Sequence, residues 1–455
     1  MPTAYTILFL LLILVAAATW IIPAGSYDYV DGVPVAGTYH TVEQNPQGVG
    51  DVLKAAFSGF YDAVDVCIFI LMVGGFLGVV MKTGAVDAGV GNVIRLLGGR
   101  EKWLIPILML LFGLGGTTYG MWEETMAFYP LLIPVFLAAG YDAVVGISVI
   151  LLGAGAGVIA STVNPFATGI AAGFAGVSLG EGIVLRLLEW VAFEAAAIWF
   201  VMAYAAKVKK NPSKSVVGVG AGKIQVSMDQ QVPFTAKRKV IMALFTLTFL
   251  IMVYAVVPFD EMGLSLPALG WWFPELSALF LVSGVIIGLI DRQREDEIAD
   301  TFVAGCADLL GVALIIGISR GITVLMNDGA ITDTVLHWGE QALSGAGAIS
   351  FTLLVFALYL PLTILIPSSS GLATLSIPIV APLGKFAGVG GDLVVTAFQS
   401  ASGLVNIITP TAAVVMGALA LGHVPYDRWV KYVWKLILWF LLLALAFLVA
   451  GVLLG

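Results

Sequence analysis

Charge is what this chain has least of. Asp, Glu, Lys and Arg supply 11% of its 455 residues against 60% apolar residues, and the mean hydropathy is +1.03. That scarcity excludes an ordinary soluble domain and leaves a polytopic membrane protein. Histidine is scarce too, with His40, His337 and His423 all in stretches that read as loops. A catalytic serine needs a base within reach, usually histidine. The chain also lacks HExxH and CxxC patterns and any nucleotide-binding loop, so neither a membrane hydrolase nor a nucleotide-driven pump is expected. Cys67 and Cys306 are the only cysteines, each inside an apolar run, which rules out a disulfide framework and a thiolate metal site. No cofactor and no nucleic-acid partner is expected.

Long apolar runs are present instead. Residues 5–20, 183–206, 240–257, 276–290 and 429–455 can each cross roughly 30 Å of hydrocarbon as a helix. The first reads as a retained helix rather than a signal peptide, because nothing basic precedes it and it is longer than a usual signal core. Basic residues orient such a chain. With the amino terminus in the cytoplasm, 17 of the 21 Lys and Arg residues fall inside: Lys82, Arg95, Arg100 and Lys102, the block 207–239, Arg292 and Arg294, then Arg428, Lys431 and Lys435. Segments 25–51, 177–182, 258–274 and 327–347 contain none and are placed outside. Lys54 and Arg186 run mildly against this orientation. It closes only if 103–139, around "GGTTYGMWEET", is a re-entrant hairpin, whose irregular backbone must be covered by protein or line a wet cavity.

A shift of 245 positions aligns the chain with itself. Phe57 meets Phe302, Met81 meets Met326, Gly84 meets Gly329, Ala85 meets Ala330 and Pro165 meets Pro410; three residues farther along, Pro130 and Pro134 fall on Pro378 and Pro382. The charge count sends the two copies through the membrane in opposite directions. The expected fold is therefore all-α, with two inverted-topology repeats and about nine full spans plus two hairpins. The first repeat covers 1–206, with a hairpin at about 103–139 and a helix at 143–178 broken near Asn164-Pro165. A cytoplasmic linker covers 207–239. The second part, 240–455, starts with a connector helix at 240–257 and holds a hairpin at about 348–388 and a helix at 391–421 broken near Thr409-Pro410. Symmetric breaks of this kind mark secondary transporters, with substrate bound near the midplane.

The candidate chemistry lies at the tips and breaks. A half-helix starting at mid-membrane offers free N–H groups and a positive dipole end to an anion. The serine tip, Ser368, Ser369 and Ser370, suits a carboxylate, although one serine would suffice as a helix cap. The other tip offers Thr117, Thr118 and Thr125 with Glu123 and Glu124. A carboxylate at that depth needs a cation: a proton, Na⁺, or an ammonium or guanidinium group of the substrate. In a wide vestibule the same pair would need none. Pro165 and Pro410 free carbonyls beside Ser161, Thr162, Asn164, Asn406 and Thr409, a set that suits Na⁺, as an ordinary hydroxyl-satisfied kink also would. Arg320 stands in an apolar helix, either paired with Asp62, Asp65 or Asp308 or reading a substrate carboxylate with its planar fork.

The stretches "GTTYGMWEETMAFYPLLIPVFLAAGYD", "STVNPFATGIAAGFAGV", "PSSSGLATLSIPIVAPLGKFAGV" and "FQSASGLVNIITPTAAVVMGALALGHVPYDRW" resemble the YfcC family. That family groups with DcuC-like C4-dicarboxylate carriers and arginine/ornithine antiporters in the ion transporter superfamily. The resemblance spans nearly the whole chain. It implies two re-entrant hairpins, dimerisation through a scaffold, elevator-type movement and a place in a prokaryotic inner or plasma membrane. It leaves the substrate open. Two acids at one tip favour a basic amino acid, with its α-carboxylate at the serines and its cationic end toward Glu123 or Glu124. The alternative is a dicarboxylate or other organic anion moved with H⁺ or Na⁺, and a non-transporting scaffold would not explain the symmetric breaks.

Overall fold

The computed structural model describes residues 4–454 except 32, 87, 90, 91, 93–99, 119, 219–232, 257–265, 268 and 272, and describes no side chain at 165, 166 or 253. The centre of the linker, most of the expected outer segment 258–274, and Arg95 and Lys223 of the charge count lie outside the described residues.

The fold is all-α apart from two short β-ribbons. Helix α1 (Ala4–Ala18) leads to strands β1 (Gly25–Ser26), β2 (Tyr29–Val30), β3 (Val33–Pro34) and β4 (His40–Thr41), with β1 antiparallel to β4 and β2 to β3. Then come α2 (Val49–Asp62) and α3 (Val64–Lys82). They are separated by Ala63, whose φ of -120° and ψ of 22° are not helical. The first hairpin is α4 (Leu104–Thr118), a 3-10 turn (Glu123–Phe128) and α5 (Tyr129–Ala138). The first broken helix is α6 (Ala143–Ile159), a π turn (Pro165–Gly169) and α7 (Ile170–Ala175), followed by α8 (Ile183–Lys210).

The second half holds α9 (Ala236–Val256), α10 (Phe273–Asp291), α11 (Glu295–Asp328) and α12 (Thr332–Leu343). Its hairpin is α13 (Ala348–Leu365) and α14 (Ser369–Phe386), its broken helix α15 (Gly391–Asn406) and α16 (Ala413–Leu421), and α17 (Tyr426–Leu454) ends it. Helix α12 was not expected, because its apolar residues are too few for a span. It carries His337, which therefore lies on a helix and not in a loop. Among the described residues, α3, α10, α11, α13 and α17 are long and apolar enough to cross a membrane by length and composition.

Two seams organise these helices. Along the first, α2 and α3 lie against α11 with residue numbers running in opposite senses: Gly59 meets Gly317 and Gly321, Cys67 Sγ lies 3.5 Å from Ala313 O, Gly74 meets Gly305, and Lys82 Nζ is 2.7 Å from Glu297 Oε1. The helices are thus antiparallel. Glycine is needed here for close approach: a Cβ at Gly59 or Gly74 would run into the facing backbone. Helices α1, α9 and α10 join this pair. The second group gathers both hairpins and both broken helices, α4 to α8 and α13 to α17, where α4 packs on α6 and α13 on α15. The inner helix of that group, α6, is buried over its whole length.

Over the end of the first group, the ribbons and α12 form a polar cap. Tyr27 N–H and Tyr29 O–H donate to Asp333, Tyr27 O–H donates to Glu340 at 2.8 Å, and the Tyr39 and His337 rings stack at 4.0 Å.

Candidate functional site

Where the two groups meet, a cavity of about 150 Å³ opens. The first group supplies Val66, Phe273, Ile316, Ser319 and Arg320; the second supplies both hairpin tips and both helix breaks. Of the residues singled out from sequence, Glu123, Glu124, Asn164, Ser368, Ser369, Ser370, Asn406 and Arg320 line it together. Glu123 and Asn406, 283 residues apart in sequence, are thus brought around one space by the hairpins and breaks.

The serine tip divides its labour. Ser368 is the N-cap of α14 and its Oγ accepts from Gly371 N–H at 3.2 Å, satisfying one of the free donors at the helix start. Ser369 and Ser370 open the helix and face the cavity. The opposite tip turns at Gly120, whose φ of 78° favours glycine and whose missing Cβ leaves room for the Asn164 amide. Beyond it the 3-10 turn buries Glu124, 6% exposed, while one of its oxygens accepts from Trp122 N–H at 3.1 Å. Glu123 is half-buried and feels the charge of Arg320 through space. Arg320 Nε lies 3.8 Å from Asp62 Oδ2, and Asp65 and Asp308 make no ion pair with it. Arg320 thus has Asp62 as an acid neighbour and also lines the cavity.

The remaining candidates hold the site in shape and do not line it. Thr117 Oγ1 donates to Ala160 O at 2.7 Å, and Thr162 N–H and O–H both bond Thr117, which clasps the end of α4 to the break after α6. Thr118 and Thr125 donate back to Leu114 O and Trp122 O. Thr168 donates to Ser161 Oγ at 2.6 Å, and Thr409 and Thr411 bond each other at 2.9 Å. At the second break the carbonyls of Ile407 and Ile408 accept from Trp429 Nε1 and Tyr426 O–H. Of the residues expected to suit Na⁺, Asn164 and Asn406 line the cavity, with Asn164 Oδ1 accepting from Ala167 N–H at 3.3 Å, whereas Ser161, Thr162 and Thr409 do not line it and their hydroxyls are engaged by protein.

Trp122, Ser319, Phe273 and Thr411 also line the cavity and were not singled out. Each neighbours a residue or break that was, or opens a predicted span. Residues 317–321, "GISRG", spell G-x-S-x-G, a pattern of serine hydrolases. In those enzymes the serine sits on a strained strand-to-helix turn. Here Ser319 is inside α11 and its Oγ donates to Ile316 O at 2.9 Å, so the pattern is helical packing.

Comparison with known proteins agrees with a transporter. The family model described as "C4-dicarboxylate anaerobic carrier" (DcuC) matches residues 1–453. An uncharacterized protein of Haemophilus influenzae is 36% identical, over 99% of this chain and 97% of its own length. The putative basic amino acid antiporter YfcC of Escherichia coli is 31% identical over 95% of this chain and 92% of its own. Among solved structures, the YdaH transporter of Alcanivorax borkumensis covers 98% of both chains at 14% identity with a TM-score of 0.45. MtrF of Neisseria gonorrhoeae, described as an antimetabolite efflux pump, covers 98% of this chain and 94% of its own at 18% identity with a TM-score of 0.43. A match over nearly every residue and a full-length relative above 30% identity place this polytopic membrane protein in the DcuC family of transporters.

Proposed function

We propose that the protein is a secondary active transporter of basic amino acids, working as an antiporter or a cation-coupled carrier by elevator-type alternating access. The observation that carries this reading is a single cavity lined at one tip by Glu123 and Glu124 and at the other by Ser369 and Ser370 at the start of α14. An α-carboxylate suits the free N–H groups and hydroxyls of the serine tip. An ammonium or guanidinium group suits the glutamates, whose burial makes them costly without a cation. The putative antiporter activity of the Escherichia coli relative points the same way.

The elevator part rests on the division of the fold. The cavity lies at the boundary between a glycine-sealed pair, α2–α3 with α11, and a group holding every hairpin and break. Sliding the second group along the first would carry the cavity between the two sides. The two inverted repeats, 1–206 and 240–455 joined by the linker, a cytoplasmic amino terminus, a prokaryotic inner or plasma membrane and a homodimer joined through the first group complete the reading.

A second reading is favoured by one residue. Arg320 gives the cavity wall a fixed cation, which suits a C4-dicarboxylate carried with H⁺ or Na⁺, in line with the family's description. Purified protein in liposomes, loaded with arginine, ornithine, lysine or succinate and offered each as a labelled partner, separates the two. Counterflow of arginine or ornithine supports the first; counterflow of succinate alone sinks it.

A further inference from the structure

Helix α8 carries an acid that the cavity does not use. Glu194 lies about 17 Å along the helix from its start, at 1.5 Å per residue, and so at the middle of the apolar run 183–206. It is 2% exposed, and neither carboxylate oxygen has a hydrogen-bond partner. The facing residue on α4 is Gly113, where a Cβ would collide with Glu194 Oε2. Gly113 in turn packs its carbonyl against Gly157 of α6, which also has no room for a side chain. Two glycines thus clear a closed space and a carboxyl group fills it.

The groups around Glu194 offer it no counter-charge. Helices α4 and α6 contain no titratable residue. On α15 the only one is Asp392, which sits by Gly182 and acts on Arg186. Helix α17 presents Phe440 to Phe193 at this level; its Tyr432 lies farther along, beside Phe200 and Tyr204, and its Asp427, Arg428, Lys431 and Lys435 cluster near its start. On α8 itself, Arg186 donates to the carbonyls of Leu179 and Glu181, and Lys209 pairs with Glu101. Glu189 differs from Glu194: it accepts from Ser400 at 2.8 Å and feels Arg186.

An ionised carboxylate so placed costs several kcal/mol without a donor or counter-ion. Na⁺ or another hard cation would need several oxygen ligands, and the side chains facing Glu194 here, those of glycine and phenylalanine, carry none. A single proton on one oxygen removes the charge. We infer that Glu194 is a membrane-embedded proton-binding site and that the proton it carries is the coupling ion of transport. Arrival forms one O–H bond at a carboxyl oxygen with a proton taken from water on one side; release breaks it to water on the other, and no electron moves. The inference rests on the chain being a transporter and not on which substrate it carries.

The test uses the full chain in lipid bilayers. Infrared difference spectra between about pH 5 and pH 9, a range chosen because buried carboxyls titrate well above exposed ones, should show the carbonyl stretch of a protonated carboxylic acid that fades as pH rises. Buried Glu124 and Glu189 contribute in the same region, so the band should lose one component in Glu194→Gln, and that component should be kept in Glu189→Gln and Glu124→Gln. Gln matches the neutral acid in shape, so the first variant should fold with the same thermal stability. In proteoliposomes, with arginine and succinate as probes, Glu194→Gln should keep exchange of the transported probe and lose uptake driven by a pH gradient. A pH-dependent band of the same size in wild type and Glu194→Gln, a Glu194 component that does not titrate, or gradient-driven uptake by that variant overturns the proposal. If neither probe moves in wild-type protein, the substrate reading fails while the infrared result still decides the proton site.

Discussion

Arg320 Nε stands 3.8 Å from Asp62 Oδ2 across the first seam, with Asp62 half exposed and Arg320 at the cavity wall. A pair so long and so wet contributes about 0–1 kcal/mol. Asp62→Asn should therefore shift the melting temperature little. Under the dicarboxylate reading Arg320→Gln should abolish succinate transport, and Arg320→Lys should not restore it, since an ammonium lacks the planar fork. Flux in proteoliposomes and a detergent melting curve, run on the same preparations, check both.

The two glutamates should separate by role. Glu124 is buried and bonded to Trp122 N–H, whereas Glu123 is half-buried and coupled to Arg320. Glu124→Gln should abolish arginine and ornithine exchange while leaving the melting temperature unchanged. Should both Gln variants exchange amino acids at wild-type rates, the glutamates would only border a vestibule.

Among the serines, stability and binding should part company. Ser368→Ala removes the α14 cap and should cost about 1 kcal/mol of stability. Ser369→Ala and Ser370→Ala should leave stability alone and raise KM, because these hydroxyls face the cavity. Chemical denaturation in detergent and saturation kinetics in liposomes read the two effects.

The first seam should not tolerate a methyl group. At Gly74 a Cβ would stand 2.5 Å from Gly305 O, so Gly74→Ala must push backbone apart and should cost on the order of 1–3 kcal/mol. Gly173→Ala is the control: it is helical with open space around it and should stabilise by about 0.5–1 kcal/mol. Melting temperatures of the two variants, measured side by side, give the comparison.

The cap over the first group should loosen in alkali. Burial, with Glu340 bonded to Tyr27 and Asp333 bonded to Tyr29, pushes both phenols above their ordinary value of 10.0. Above that pH the unfolded cap sheds protons that the folded cap keeps, so folding stability falls as pH rises. Below it the contribution is fully present. Limited proteolysis of residues 25–41 should speed up above about pH 10, and less so in a Tyr27→Phe, Tyr29→Phe double variant.

Much of this was legible in sequence, for a physical reason. Lipid forbids unsatisfied backbone, so every Pro, Gly or hydroxyl cluster inside an apolar run has to mean something. That is why "PSSSG", "WEET", Asn164 and Asn406 stand out, and Glu123, Glu124, Ser368, Ser369, Ser370, Asn164 and Asn406 from them line one cavity. Whether a hydroxyl faces the cavity or clasps a neighbour was not legible, because Thr117 and Ser369 look alike until their partners across the fold are known. Helix α12 escaped notice because only spanning helices announce themselves by hydropathy. Glu194 escaped because its meaning depends on Gly113, 81 positions away.

The glycine seam has a mechanical consequence. Backbone that touches backbone at Gly59, Gly74 and Gly305 behaves like a ratchet tooth in its notch: displacing α11 by one turn would drive Leu309 or Phe302 into main chain. With Cys67 and Cys306 each lying against a carbonyl of the opposite helix, the two strokes of the pair are pinned at mid-span as well. Under the proposed elevator-type movement, displacement would therefore be taken up elsewhere, along the side-chain contacts around Arg320, with this pair as the fixed rail.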